Sequence, residues 1–145
     1  MLPPIELERR QESLTILAVA KGGNAVPMKN AIADKSKAFA IRIIRLYQFL
    51  VEHKKERVLS VQVLKSGTSI GANIRESLRG QSKADFCAKL HVSLKEAEET
   101  LYWLELLEAS GYISIKQFHS LRNDGEELIR LLVAILKRCK EKDEM

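Results

Sequence analysis

Cysteine is scarce in this chain, and the spacing of its two cysteines excludes a common kind of metal site. Cys87 and Cys139 form neither a CxxC pair nor a cluster with histidine, so the ligand spacing of structural zinc sites is missing. Two reduced cysteines suit a reducing cytoplasm, and we expect both to fill core or edge positions. The cysteine content therefore predicts a cytoplasmic protein without a zinc site.

Long apolar runs are also missing. No segment approaches the roughly 20 apolar residues that a membrane helix needs. The apolar stretch LTILAVA at 14–20 resembles the core of a signal peptide, but Glu6, Glu8 and Glu12 precede it. A secretory leader begins with a positively charged region, so we expect neither a secreted protein nor a membrane protein.

Catalytic and cofactor motifs are missing as well. The histidines at 53, 91 and 119 have no glutamate three positions earlier, which excludes the Glu-x-x-His pairs of di-iron bundles. A His-Glu-x-x-His motif is absent, and no nucleophile stands beside a base in a known pattern. The sequence therefore predicts a protein that is not an enzyme, with no cofactor, no metal ion and no evident small-molecule substrate.

Amphipathic helices account for most of the chain. The 145 residues suit one domain, and no strand-like alternation is present. Asp34 or Ser36 is the expected cap of the first helix. Apolar residues recur with helical spacing over about 34–53, 58–79, 83–109 and 115–140. Because the links are short, we predict an all-α, antiparallel up-down four-helix bundle.

Capping signals mark the ends of the later helices. Ser82 with Asp85, and Ser114 with Gln117, have the spacing of capping boxes at the starts of the third and fourth helices. Gly111 is placed to end the third helix.

The first 27 residues differ from the rest. Prolines and glycines bracket one short possible helix there. We interpret 1–27 as an N-terminal extension or tail and 28–145 as the bundle domain; Met28 as the natural start is the alternative.

Glycine lies inside the second helix, where it is unfavourable by roughly 1 kcal/mol relative to alanine. Gly67 and Gly71 share an apolar stripe in the segment SGTSIGANIRESLRG. A phosphate-binding loop needs a preceding strand and a Gly-Lys-Ser/Thr ending, and neither is present. We therefore expect these glycines to contact another helix backbone closely, and Gly125 to do the same in the fourth helix.

A polar row runs beside the glycines and consists of Ser66, Ser69, Asn73 and Glu76. It is either a functional site or, the interpretation we favour, a border of the core that hydrogen-bonds neighbouring helices and fixes their register.

Helices 1 and 3 carry more apolar surface than one core needs. A helix that is apolar on two sides is buried on two sides, so the extra stripes predict contacts with other subunits. The candidate interface residues are Ile44, Tyr47, Val92, Tyr102, Trp103 and Leu106.

Basic residues suggest a nucleic-acid partner. The formal net charge is +5, and Lys65, Arg75 and Arg79 project from one sector of the second helix, with Lys83 just after it. Such a row of cations is able to follow a phosphate backbone. An ordinary solvated face is the alternative.

Four segments of the chain resemble the four-helix-bundle proteins of bacterial 23S ribosomal RNA intervening sequences. They are DKSKAFAIRIIRLYQFL, LSVQVLKSGTSIGANIRES, SKADFCAKLHVSLKEAEETLYWLELLEASGYI and LIRLLVAILK. The resemblance covers about 30–140. It implies that the chain assembles into a homopentameric ring. It also implies a relationship to the accessory protein of diversity-generating retroelements, a basic pentamer that partners a reverse transcriptase and nucleic acid. It implies no catalytic residues.

These observations together predict a non-enzymatic, ring-forming bundle. We expect it to bind RNA, or a ribonucleoprotein of the reverse-transcriptase type, through basic outer faces. The alternative is a protein–protein scaffold without affinity for nucleic acid.

Overall fold

Four helices make up the structure, a computed structural model that describes residues 28–143. They are α1 (Met28–His53), α2 (Leu59–Leu78), α3 (Lys83–Ala109) and α4 (Ile115–Asp143). No strand occurs within the described range, which confirms the prediction of an all-α four-helix bundle. The interpretation of 1–27 as a tail lies outside the described residues.

The start of α1 differs from the prediction. The helix already includes Met28, so Asp34 and Ser36 are internal residues and the expected cap there was wrong. The Ser36 hydroxyl instead donates to the carbonyl of Ala33, at 3.0 Å. Ile32 is fully buried and lies one turn before Ser36, so the buried stripe of α1 extends further toward the N terminus than we expected.

The caps of α3 and α4 form as predicted. The Ser82 hydroxyl accepts from the Asp85 amide at 3.1 Å. The Ser114 hydroxyl accepts from the Gln117 amide at 3.1 Å, while the Gln117 side chain accepts from the Ser114 amide at 2.8 Å. Gly111 has a φ of +82°, a left-handed conformation that glycine adopts readily and that ends α3.

The start of α2 is capped by a carboxylate that the sequence analysis missed. Glu56 is buried, and its side chain accepts the amides of Val58, Leu59 and Ser60 at 2.8, 2.8 and 2.6 Å. These amides have no partner inside the helix. Burial raises the pKa of Glu56, but the backbone hydrogen bonds outweigh it, so that the pKa falls below its ordinary value.

The core lies between the four helices. Its fully buried side chains include Phe39, Ile43, Leu46, Leu50, Ile70, Ile74, Leu90, Leu104, Leu121, Leu128 and Leu132. The helix α1 packs on α2 and α4, and α3 packs on the same two helices. The outer sides of α1 and α3 therefore lie at opposite corners of the bundle.

The glycines of α2 face α1. A Cβ on Gly67 would lie 2.8 Å from both γ carbons of Ile43, and one on Gly71 would lie 3.2 Å from the Ser36 hydroxyl oxygen and 3.6 Å from the Ser36 carbonyl carbon. The nearest neighbours of both glycines are therefore side-chain atoms, and at Gly71 the backbone of α1 follows at 3.6 Å. On α4, a Cβ at Gly125 would lie 2.7 Å from a terminal methyl carbon of Leu101.

The two cysteines differ from our expectation of free thiols. Cys87 and Cys139 form a disulfide between α3 and α4, with their Cα atoms 6.4 Å apart. The prediction of two reduced thiols was wrong because the packing of α4 on α3 brings together two residues that are 52 positions apart.

Candidate nucleic-acid interface

The four predicted basic residues are all exposed, but they do not form one cluster. Arg75 lies in the last turn of α2, Arg79 is the residue that follows the helix, and Lys83 is the first residue of α3. Lys65 stands apart from this corner, because 14 residues of helix separate it from Arg79, about 20 Å at ~1.5 Å per residue. The structure therefore groups three of the four residues where α2 ends and α3 begins; we call Arg75, Arg79 and Lys83 the basic corner.

The last turns of α4 bring more cations to the same end of the bundle. The Cys87–Cys139 bond fixes the end of α4 beside the first turns of α3. Three basic side chains surround Cys139 in the sequence, and all are exposed: Lys137, Arg138 and Lys140. We call these the α4 tip. The sequence alone does not show this grouping, because only the fold brings the α4 tip to the same end of the bundle as Lys83.

A salt bridge compensates one further cation near the corner. Lys89 Nζ lies 2.9 Å from Glu76 Oε2, and this hydrogen bond raises the pKa of Lys89. Glu76, the last member of the predicted polar row, thus links α2 to α3.

The remainder of the polar row also makes hydrogen bonds. Thr100 donates to the Ser66 hydroxyl at 2.9 Å, which ties α3 to α2. Ser69 and Asn73 bond to carbonyls of their own helix, at 2.7 and 2.8 Å. The side chains of the row therefore lie along the α2–α3 contact, and only Ser66 and Glu76 bridge it.

The outer surface of α1 is apolar and basic. Ile44 is 40% exposed, and Tyr47 is half-buried beside it. From residue 37 to 51 the helix carries no acidic side chain, while Lys37 and Arg45 flank Ile44. We call this surface the α1 face.

The outer surface of α3 is apolar and, beyond the exposed Lys95, acidic. Val92 is 43% and Tyr102 is 53% exposed, and Trp103 and Leu106 are half-buried. No basic residue lies between 96 and 108, a range that contains Glu96, Glu98, Glu99, Glu105 and Glu108. We call this surface the α3 face.

Within the α3 face, the aromatic rings and carboxylates interact directly. The rings of Tyr102 and Trp103 are 5.4 Å apart, and the Trp103 indole donates to Glu99 at 3.2 Å. Burial raises the pKa of Glu96, and the charge of Glu99 raises it further.

One buried ion pair lies away from these surfaces. Arg42 on α1 is fully buried and contacts Asp124 and Ser120 on α4. Lys35 forms an ion pair with Glu127 across the same two helices. The sequence does not identify this pair, because a single charged residue in an apolar stripe does not reveal its partner on another helix.

Among the described side chains, no group of three or more His, Cys, Asp or Glu residues is arranged to hold a metal ion. Nor does any described helix combine the length and apolarity needed to cross a membrane.

The fold and these surfaces define a small all-α bundle protein with charged outer faces. The chain belongs to the 23S rRNA-intervening sequence protein family, whose model matches residues 28–134, and this confirms the resemblance seen in the sequence. A crystal structure of a protein of unknown function from Bacteroides thetaiotaomicron, from the S23 ribosomal protein family, is similar. It is 55% identical, covers 76% of this chain and 98% of its own, and has a TM-score of 0.75. No curated protein matches.

Proposed function

We propose that this chain forms a ring of four-helix bundles that binds RNA, or a ribonucleoprotein of the reverse-transcriptase type, and catalyses no reaction. The observation that carries the proposal is the basic corner, where Arg75, Arg79 and Lys83 are exposed together. Cations spaced along a surface bind phosphates and release counterions. The family description, which refers to intervening sequences of 23S rRNA, supports RNA as the polyanion.

We infer an up-down arrangement of the helices. Glu76 near the end of α2 contacts Lys89 near the start of α3, whereas Ser66 earlier in α2 contacts Thr100 later in α3. Opposite order along the two helices is what antiparallel neighbours produce. The arrangement puts the basic corner and the α4 tip at one end.

The α1 and α3 faces support the ring. They lie at opposite corners of the bundle and carry charges of opposite sign, so that the α1 face of one copy is complementary to the α3 face of the next. A contact between two different surfaces is heterologous, and it closes into a ring when the rotation allows. The family resemblance makes five copies our proposed number.

A ring would also strengthen RNA binding. Each copy offers only a few cations, which makes a single contact weak, but a ring presents the same corner repeatedly and gains affinity by multivalency. We place this activity in the cytoplasm.

The test is fluorescence anisotropy with labelled single-stranded and structured RNA, from low to physiological salt. Affinity should fall as salt rises, with a log–log slope of about −0.7 per phosphate contact on single strands. Arg75→Glu with Arg79→Glu should weaken binding at least about tenfold for all sequences, because phosphate contacts carry no sequence information.

The matched control is Lys54→Glu with Arg57→Glu, which makes the same change in net charge on exposed residues between α1 and α2. It should retain most of the affinity. Equal loss in both double variants would show that only net charge matters, and would remove the basic corner as the site.

The scaffold function has its own supporting observation, the exposed aromatic surface at Tyr102. Aromatic residues are enriched in protein–protein interfaces. If the protein binds no RNA even at low salt but still assembles, the scaffold function replaces our proposal.

A further inference from the structure

The bond between Cys87 and Cys139 lies at the end of the bundle that carries the basic corner. Cys139 is 8% exposed and Cys87 is half-buried, so the pair lies at the edge of the core and not in its centre. In a reducing cytoplasm, disulfides are in general transient and take part in catalysis or redox sensing. A permanent structural bond is therefore not the expected role in that compartment.

Cys139 holds the end of α4 on α3. Beyond Leu136, the described side chains of α4 other than Cys139 are all exposed: Lys137, Arg138, Lys140 and Glu141. Cys139 is also the last buried residue of α4 within the range whose side chains are described.

The segment that Cys139 holds is the α4 tip. Lys137, Arg138 and Lys140 are exposed, and their positions relative to the basic corner depend on how firmly the last turns of α4 are fixed to α3. A helix end with few buried contacts opens locally at low free energy. A covalent bond to α3 prevents that opening.

We propose that Cys87 and Cys139 form a reversible redox clamp, which orders the α4 tip when oxidised and releases it when reduced. The oxidant is a small disulfide such as glutathione disulfide. The Cys87 thiolate, the more exposed of the two, attacks one sulfur of glutathione disulfide and displaces a glutathione thiolate. The Cys139 thiolate then attacks the Cys87 sulfur and displaces the second.

Electrons, protons and sulfur groups balance in this exchange. Two protein thiols lose two electrons and two protons and become one disulfide, while one glutathione disulfide becomes two glutathione molecules. Excess reduced thiol reverses both steps. The reversibility of the clamp rests on the cytoplasmic location that we propose, and its effect on RNA affinity rests on the proposed RNA binding.

Hydrogen exchange of the full chain tests the clamp without RNA. Wild-type protein is equilibrated in oxidised or reduced glutathione, and thiol labelling reports the state of the pair. We expect amides of 137–143 to exchange about tenfold faster in reduced protein, because local opening is no longer restrained. Amides at the middle of α2 should not change.

The control is the double variant Cys87→Ser and Cys139→Ser, which should exchange at the reduced rate in both buffers. Equal exchange of wild-type protein in both buffers, or failure of the pair to oxidise, would overturn the clamp.

RNA anisotropy in the same two buffers separates the proposals: we expect about threefold weaker binding after reduction, since fixed cations bind without an ordering cost. Loss of RNA binding in both states contradicts the proposed function and leaves the clamp standing, whereas a change in exchange without a change in affinity overturns its coupling to RNA.

Discussion

Arg42 on α1 donates through Nη1 to Asp124 Oδ2 on α4 across 2.5 Å, although the arginine is fully buried. Nη2 donates to the Ser120 hydroxyl at 2.8 Å, and Nη1 also donates to the Ser120 carbonyl at 3.3 Å. A buried guanidinium is costly unless a carboxylate and hydrogen bonds offset its desolvation. The contact between α1 and α4 is therefore built around this ion pair as well as around apolar side chains.

We expect removal of one partner to destabilise the protein more than removal of both. Asp124→Leu leaves the buried Arg42 charge without its carboxylate, and because the Asp124 side chain is 24% exposed we expect a loss toward the lower end of the about 3–5 kcal/mol found for buried pairs. The double change Arg42→Met with Asp124→Leu replaces the pair by apolar packing and should lower the free energy of unfolding by less than Asp124→Leu alone. Urea denaturation of the two variants measures the difference, and a double variant less stable than Asp124→Leu would contradict this account.

Much of the fold follows from local sequence, whereas the sites depend on tertiary contacts. The boundaries of α3 and the caps at Ser82 and Ser114 were predicted correctly, because the helical spacing of apolar residues and the capping hydrogen bonds depend on residues that are close in sequence. The disulfide was missed because Cys87 and Cys139 meet only after α3 and α4 pack. The α4 tip was not grouped with the basic corner for the same reason.

Other misses came from charges in unexpected places. Arg42 falls in an apolar stripe, and a single arginine there predicts nothing until its partner on another helix is known. Glu56 precedes α2 in a charged link, where a buried cap and a solvated side chain have the same sequence pattern. All three residues of the basic corner were among the predicted cations, and Lys65 was grouped with them because periodicity gives the face of a residue on α2 and not its position along the helix.

Gly67 provides a test of close helix packing. Alanine is the better helix former by roughly 1 kcal/mol, but its Cβ would lie 2.8 Å from both γ carbons of Ile43. Ile43 is fully buried and stiff at χ1, so it is unable to move aside. Overpacking costs about 1–3 kcal/mol, and we therefore expect Gly67→Ala to lower the melting temperature.

Gly71 is the matched comparison on the same face. The nearest atom to its added Cβ is the Ser36 hydroxyl, at 3.2 Å, so Gly71→Ala should be tolerated better than Gly67→Ala. Gly71→Leu should destabilise strongly, because a long side chain has no space at the α1 contact. Equal melting temperatures for wild type and Gly71→Leu would refute close packing at this position.

Glu56 should make stability depend on pH. The folded state lowers its pKa below the ordinary 4.5, so the charged cap stabilises the fold above that pH and the contribution is lost as the pH falls through both values. We expect Glu56→Gln to lose about 1–2 kcal/mol at pH 7, as for other lost caps. The difference from wild type should shrink toward pH 3.

The control for Glu56 is Glu52→Gln, which neutralises an exposed carboxylate in the last turn of α1. Denaturant titrations of the three proteins at pH 7, 5 and 3 give the comparison. If the free energy of unfolding of Glu56→Gln stays below that of wild type by the same amount across this range, the carboxylate charge is not what stabilises the start of α2.

The proposed ring makes a prediction that other assemblies do not share. If the α1 face of one copy binds the α3 face of the next, Ile44→Glu blocks one face and Tyr102→Glu blocks the other. Both residues are exposed, at 40% and 53%, so each variant should fold. Each alone should be a monomer, because every contact in the solution lacks one intact face.

Mixing the two variants should restore a single contact. The intact α3 face of Ile44→Glu fits the intact α1 face of Tyr102→Glu, and the product stops at a 1:1 dimer because both outer faces are blocked. Light scattering of each variant and of the mixture, against the 16.4 kDa chain mass, measures this directly. An assembly held by an isologous contact, in which the same face of two copies meets, would behave differently: one variant would keep the wild-type mass, and mixing would create no new species.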